Sequence, residues 1–265
     1  MIAPHRHTFY HVLLFTRGNG RQTIDFEQFD IHPAQIYFMV PGQVHYWEFT
    51  GEIDGYLVNF NENIFHSFIA NPLYLEQFPF LRGIPGESVI DLEGEHLNEA
   101  VFFLKQLIAE INKKDSFSMD MVCFGLMSLF ISITRNSPRF VNKQIPDQKQ
   151  MTLHNFRKLV NQFYAEKRLP KDYAAMLYIT PNHLNALSNE LLGKPAGELI
   201  RDRILLEAKR LLVNANLTIT EIAFKLNFTD SSYFTKFFKK YMLITPEEFR
   251  TAHSFFSMKN TIQTT

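Results

Sequence analysis

The sequence predicts a two-domain α+β chain. An N-terminal β-barrel with two following helices precedes an all-α C-terminal domain, in which two helix-turn-helix units are joined by one long helix. Three observations predict this. Aromatic and β-branched residues dominate from Thr8 to about Phe60, broken by turn signals, whereas from Thr152 the apolar residues recur at helical spacing and no strand pattern returns. A polar stretch around residue 150 separates the halves. The charge changes sign there: residues 1–150 carry 11 Lys+Arg against 17 Asp+Glu, and residues 151–265 carry 16 against 10. With 265 residues, 46% hydrophobic and 20% charged, both halves can bury a core, which excludes a disordered chain.

Within residues 1–92 the turn signals are Arg17-Gly18-Asn19-Gly20, His32-Pro33, Pro41-Gly42 and Gly51. They predict a run of short antiparallel strands that must close or stack to hide an apolar face. A strand-like Ser88–Leu92 ends this domain. Residues 93–134 then read as a helical pair, Glu95 to Lys113 and about Ser118 to Thr134. Leu97, Val101, Leu104, Ile108 and Ile111 form an a/d stripe that fits either packing on the barrel or a homodimer seam. Residues 135–150 hold two prolines and no periodicity, and read as a linker.

Residues 151–265 carry one theme twice. Pro170-Lys171-Asp172 starts a short helix through Leu177; Tyr178-Ile179 turns the chain; Thr180-Pro181 caps a second helix that stops at Gly193. Leu184, Leu187 and Leu191 line its buried face, which leaves Asn182, His183, Asn185, Ala186 and Asn189 outside. After a long helix from Pro195 to Asn214, Thr218 to Glu221 has the capping-box spacing and opens another short helix. Asn227-Phe228-Thr229 turns into a helix from Asp230 to Tyr241, with Phe234, Phe237 and Phe238 inward and Ser231, Ser232, Tyr233, Lys236, Lys239 and Lys240 on the open face.

A single such unit occurs in many all-α domains. Two in tandem on a net-positive domain, each with polar groups on its second helix, fit double-stranded DNA, whose major groove admits a helix and presents base-edge donors and acceptors. The lone Cys123 excludes an internal disulfide and a cysteine-based zinc site. No signal-like apolar region opens the chain, and the apolar stretches are read as too short for a membrane span. A cytoplasmic protein without membrane partners is expected.

The segments Asp172-Tyr173-Ala174, His183-Leu184-Asn185, Gly193-Lys194-Pro195, Glu207 to Leu212, Glu221-Ile222-Ala223, Ser232-Tyr233-Phe234, Phe237 to Lys240 and Thr245-Pro246 through Phe249-Arg250 resemble the AraC family of bacterial transcription regulators. The resemblance covers about a hundred residues. It implies a sequence-specific DNA-binding regulator, more often an activator, whose two reading helices enter successive major grooves, with RNA polymerase as a further partner. It places Asn182, Asn185 and Ala186, and Ser231, Ser232, Tyr233 and Lys236, at base-facing sites. Three residues depart from the family pattern: Asn227 and Leu243 stand where glycine is usual, so that the turn at Leu243 is expected to differ, and Ala186 replaces a frequent arginine.

His5, His7, Phe9, His11 and Leu13 share one face of a period-two strand, as do His45 and Trp47 on another. His5-Arg6-His7 with His11, then Pro41-Gly42-Gln43-Val44-His45, resembles the two cupin motifs, with His11 in place of the usual Glu. The resemblance implies a cupin-like barrel that senses a small-molecule effector, with His7, His11, His45 and Trp47 lining it. No cofactor or metal is expected, the histidines being read as satisfied within the barrel; were a metal held, its donors would be His5, His7, His11 and His45. The strand that usually precedes the first motif would need residues before Met1. The competing reading is a metal-dependent cupin enzyme with an appended helical domain.

Overall fold

The computed structural model describes residues 4–69, 74–137, 147–214 and 216–258. The chain divides into two compact units, Met1–Lys143 and Gln144–Thr265.

In the first unit β1 (Tyr10–Ile24) is paired by β4 (His45–Phe60) along its whole length on one edge. On its other edge it pairs with β3 (Gln35–Met39) through residues 11–15 and with β2 (Glu27–Ile31) through residues 20–24. The short β5 (Val89–Asp91) extends β3. The result is a strongly curled half-barrel. Two of the expected short strands are in fact long. Arg17–Gly20 and Gly51 do not end strands but bulge a continuous ladder, with register shifts between Phe15 and Asn19. Close approach explains Gly20, where a Cβ would lie 2.2 Å from the Glu48 carbonyl oxygen, and also Gly55, where it would lie 2.1 Å from that of Leu14; Gly51 has open space around it and takes a left-handed φ of 79° instead.

Alternation along the strands builds two cores. Val12, Leu14, Ile36, Phe38 and Ile90 face α1 (Glu95–Lys113) and α2 (Ser118–Asn136), meeting Leu104, Leu107, Leu126 and Phe130. Phe15, Ile24, Ile31, Tyr37, Met39 and Trp47 fill the concave side. The a/d stripe of α1 is split by this packing: Leu104 is buried and Leu97 and Val101 lie against the core, while Ile108 and Ile111, in the last turns of α1, and Phe117, in the connection to α2, are exposed. By length and composition α2 could cross a membrane, contrary to expectation. Its Val122, Leu126, Leu129, Phe130 and Ile133 are instead spent on the sheet.

Residues 138–146, most of the expected linker, lie outside the described residues. Its ends are helical: α2 runs on to Asn136, and α3 (Asp147–Phe163) already begins at Asp147, because Gln148, Lys149 and Gln150 are good helix formers. The second unit continues with α4 (Pro170–Met176), α5 (Pro181–Leu192), α6 (Ala196–Asn214), α7 (Ile219–Lys225), α8 (Ser231–Met242) and α9 (Pro246–Met258). Apolar positions of α6, Ile200, Ile204, Ala208 and Leu212, are buried at the centre.

Candidate nucleic-acid interface and histidine cluster

The two helix-turn-helix units are built by the same local rules. Each first helix ends on a residue with right-handed or near-helical backbone, Leu177 or Leu226, and then takes one left-handed step, at Tyr178 (φ 55°) or Asn227 (φ 56°). The next N–H returns to the helix: Ile179 donates to Ala174 at 3.0 Å, and Phe228 to Ala223 at 2.9 Å. A side-chain cap then starts the second helix, Thr180 Oγ1 accepting from His183 N at 3.1 Å and Asp230 Oδ1 from Tyr233 N at 2.7 Å. Both second helices end on a left-handed residue whose N–H bonds four residues back, Gly193 (φ 68°) and Leu243 (φ 65°). The turn at Leu243, expected to differ, keeps the glycine geometry.

This repeat aligns α5 and α8 at an offset of fifty residues, so Asn182 matches Ser232, His183 matches Tyr233, Ala186 matches Lys236 and Asn189 matches Lys239. All eight are exposed, Ser231 is partly exposed, and Lys240 is exposed at the end of α8. Asn185 behaves differently. It is partly buried and its Oδ1 accepts the Ala196 N–H at 3.1 Å, which commits the amide oxygen to starting α6. Leu191 and Phe237 are only partly buried, and Ser188 replaces Leu191 as a fully buried position, its hydroxyl donating to the Lys194 carbonyl at 2.6 Å. Charge is unequal. The open face of α8 carries three lysines, whereas α5 has no cation and its Glu190 is paired with Lys149 at 2.7 Å.

Sequence reading missed Tyr178 as a left-handed residue; it is 97% exposed beside the start of α5. It also missed Arg168, whose guanidinium bonds the carbonyls of Leu226 and Asn227 at 2.7 and 3.0 Å. The internal repeat could have exposed the first, since Tyr178 holds the place of Asn227.

In the first unit the four histidines converge, though not on one strand. Only His11 belongs to β1; His5 precedes it and is tied to β4 by backbone hydrogen bonds to and from His45 at 3.1 and 2.9 Å. His7 stacks on Phe9 and His11, with ring centroids 4.5 and 5.5 Å away. His45 lies 5.0 Å from the Trp47 ring and is 1% exposed. The expected internal satisfaction fails. Nε2 of His45 and Nε1 of Trp47 are buried without a hydrogen-bond partner, and the two buried His11 nitrogens make no close hydrogen bond, Asn59 being the polar side chain that faces the ring. Burial, with neighbouring His7, pushes the His11 pKa down to about 4. Burial pushes His45 to about 3 against the opposing pull of its hydrogen bond to the Gln43 carbonyl. The His45 Nδ1 donates that bond at 3.1 Å, so Nε2 keeps a free lone pair.

These groups are therefore neutral and of both kinds: each imidazole offers one lone pair, while Trp47 Nε1 and the second His11 nitrogen offer N–H donors. One ligand atom each from His5, His7 and His45 lie within 4.8 Å of one another, a donor set of imidazoles that fits a divalent transition metal. A separate cavity of about 280 Å³ opens between the β5 end and α2, lined by Asp91, His96, Ser132 and Asn136 among others and by none of His5, His7, His11 and His45.

Two family models match the chain: an AraC-like ligand binding domain over residues 1–120 and a helix-turn-helix domain over residues 173–252. The chain is 24% identical over 254 residues to the HTH-type transcriptional activator RhaR of Mannheimia succiniciproducens, covering 93% of this chain and 86% of that protein. It is 22% identical to the RhaR activator of Yersinia pseudotuberculosis, over 94% of this chain and 84% of the relative. Among solved structures, ToxT from Vibrio cholerae superposes with a TM-score of 0.48 at 14% identity, covering 93% of this chain and 91% of that one.

Proposed function

The chain belongs to the AraC family of DNA-binding transcription activators, not to the enzymes, and on that premise we propose how its two units divide the work. The helix-turn-helix unit reads DNA through α5 and α8 in successive major grooves. Asn182, His183, Ala186 and Asn189 face one segment, and Ser231, Ser232, Tyr233, Lys236, Lys239 and Lys240 the other. The observation that carries this is the fifty-residue repeat of capped helices with matching exposed faces. Asn185 contributes at most its NH2 group, its oxygen being spent on Ala196.

The half-barrel receives a small molecule at His7, His11, His45 and Trp47, where the unpartnered polar atoms would gain hydrogen bonds. A homodimer forms through the exposed apolar end of α1 and α2, around Ile108, Ile111 and Phe117. RNA polymerase at the promoter and a cytoplasmic location complete the reading. One observation favours a second reading of the barrel ligand: the three convergent imidazole donors suit a metal ion held by His5, His7 and His45, with His11 beside them. Such an ion would supply a fixed positive charge tying the residues before β1 to β4. Zinc or nickel titrated into chelator-treated protein would then raise its melting temperature, and His45→Ala would abolish the rise.

Lys236→Ala and Lys240→Ala test the orientation of α8. Lys236 follows Ser232 by four residues on one helical face, so its ammonium reaches guanine O6 or N7. Its loss costs about 1–3 kcal/mol and relaxes preference at one base pair. Lys240 lies a turn further, at the phosphates; its loss weakens all sequences alike and lowers the logarithmic salt slope by about one. Titrations of both variants against matched and single-base-changed duplexes at several salt concentrations check this. The opposite assignment of effects reverses the orientation.

A further inference from the structure

The two DNA-reading units are joined covalently only by α6, a single helix of 19 residues. The second unit packs on that helix through α7 and α9, and Arg201 of α6 lies 4.5 Å from the Tyr241 ring of α8, but these contacts tie it to α6 and not to the first helix-turn-helix unit directly. Something must hold α8 at a fixed angle to α5 if both are to enter their grooves together. Arg168, in the segment before α4, reaches across to do this. Its Nη2 donates to the Leu226 carbonyl at 2.7 Å and to the Asn227 carbonyl at 3.0 Å, the unpaired acceptors at the end of α7. Its guanidinium lies 3.8 Å from the centroid of the Phe228 ring.

Both ends of this bridge are anchored. The Tyr173 hydroxyl of α4 donates to the Lys167 carbonyl at 2.8 Å, fixing the backbone beside Arg168 to the first helix-turn-helix unit. Phe228 packs against Tyr233, Phe234 and Phe237 of α8, with ring centroids 5.8, 5.2 and 5.2 Å away. One side chain therefore connects the first helix of one unit to the turn and reading helix of the other. A lysine would replace it only in part: its ammonium could donate to both carbonyls, as the single Nη2 does, but it has no guanidinium carbon to place over the Phe228 ring.

We propose that Arg168 is a positioning residue that fixes the pose of α8 against the first helix-turn-helix unit, and thereby sets the spacing between the two DNA segments that the domain reads together. This rests on the DNA-reading assignment above.

The experiment uses the full chain and a duplex that it enriches from a random pool, with the two protected segments located by footprinting. Affinity is then measured on that duplex and on versions with one base pair inserted or removed between the segments. The unaltered protein is expected to lose about tenfold or more on either change, because both the distance and the helical phase shift. Arg168→Ala is expected to bind the native spacing about tenfold more weakly, the worth of a charged bifurcated hydrogen bond, while its ratio between native and altered spacing falls towards one. Arg168→Lys, which keeps N–H donors and loses the guanidinium over Phe228, is expected to show part of both effects. Base preference within each segment stays unchanged. Should Arg168→Ala not fold, Arg168→Met, which keeps the stem over Phe228, carries the measurement.

A variant that keeps the full spacing ratio, whether or not it binds more weakly, overturns the proposal. A salt slope lowered by about one with the ratio intact would make Arg168 a phosphate contact instead. Failure of the unaltered chain to enrich any duplex would instead sink the DNA-reading assignment on which the proposal stands.

Discussion

Leu243 holds a left-handed backbone at φ 65° while its side chain is 82% exposed. The conformation costs a branched residue and the side chain returns little by packing. Leu243→Gly is therefore expected to raise unfolding free energy by up to about 1 kcal/mol, read from denaturant midpoints of the full chain. A loss of stability would mean that the leucine packs more than its exposure indicates. His11 and His45 make the opposite kind of statement. Above pH 6.5 both are neutral in the folded and unfolded chains and add no pH dependence. Below it the unfolded chain binds protons that folded His11 refuses down to about pH 4 and His45 down to about pH 3. Stability conferred by the first unit is thus lost progressively as pH falls through that window. Melting temperatures of wild type and His11→Leu between pH 7 and pH 4 check the sign: the variant declines less steeply.

Helices were legible in the sequence because their signals are local. Thr180-Pro181, Thr218 to Glu221 and Gly193 mark real caps and stops. The strands were less so, since a glycine looks the same at a turn and inside a bulged ladder; only the approach of the Glu48 and Leu14 carbonyls tells them apart. Gly55→Ala separates these cases by experiment. In a turn open to solvent the change would cost little, whereas against the Leu14 carbonyl it must push β1 and β4 apart and cost about 2–4 kcal/mol. The candidate site was partly legible for the same reason. Period two gathered His7, His11, His45 and Trp47, and period 3.6 sorted the faces of α5 and α8, but no local signal says that Asn185 spends its oxygen on α6 or that Arg168 reaches residues 58 and 59 positions away.

Each of the two units carries its own core, which makes the division of labour testable. Residues 144–265 are expected to bind the enriched duplex alone, since both reading helices and α6 lie there, and residues 1–143 to carry the dimer through the exposed end of α1 and α2. Sedimentation finding the C-terminal fragment dimeric and the N-terminal one monomeric would reverse that assignment. The unequal charge of the two reading helices has a kinetic consequence. Coulomb attraction acts over about a Debye length, before any base edge is touched, and it acts on the three lysines of α8 rather than on the uncharged face of α5. On the proposed assignment, encounter is expected to begin at the second helix-turn-helix unit, and the first to dock afterwards as a tethered reader whose neutral amides sort sequences already held nearby. In stopped-flow measurements Lys239→Ala should slow association most at low salt and leave departure nearly unchanged. Asn182→Ala and Asn189→Ala should hasten departure and leave arrival alone. The protein would arrive by charge and stay by fit, so a change in ionic strength alters how fast it finds a promoter more than how well it recognises one.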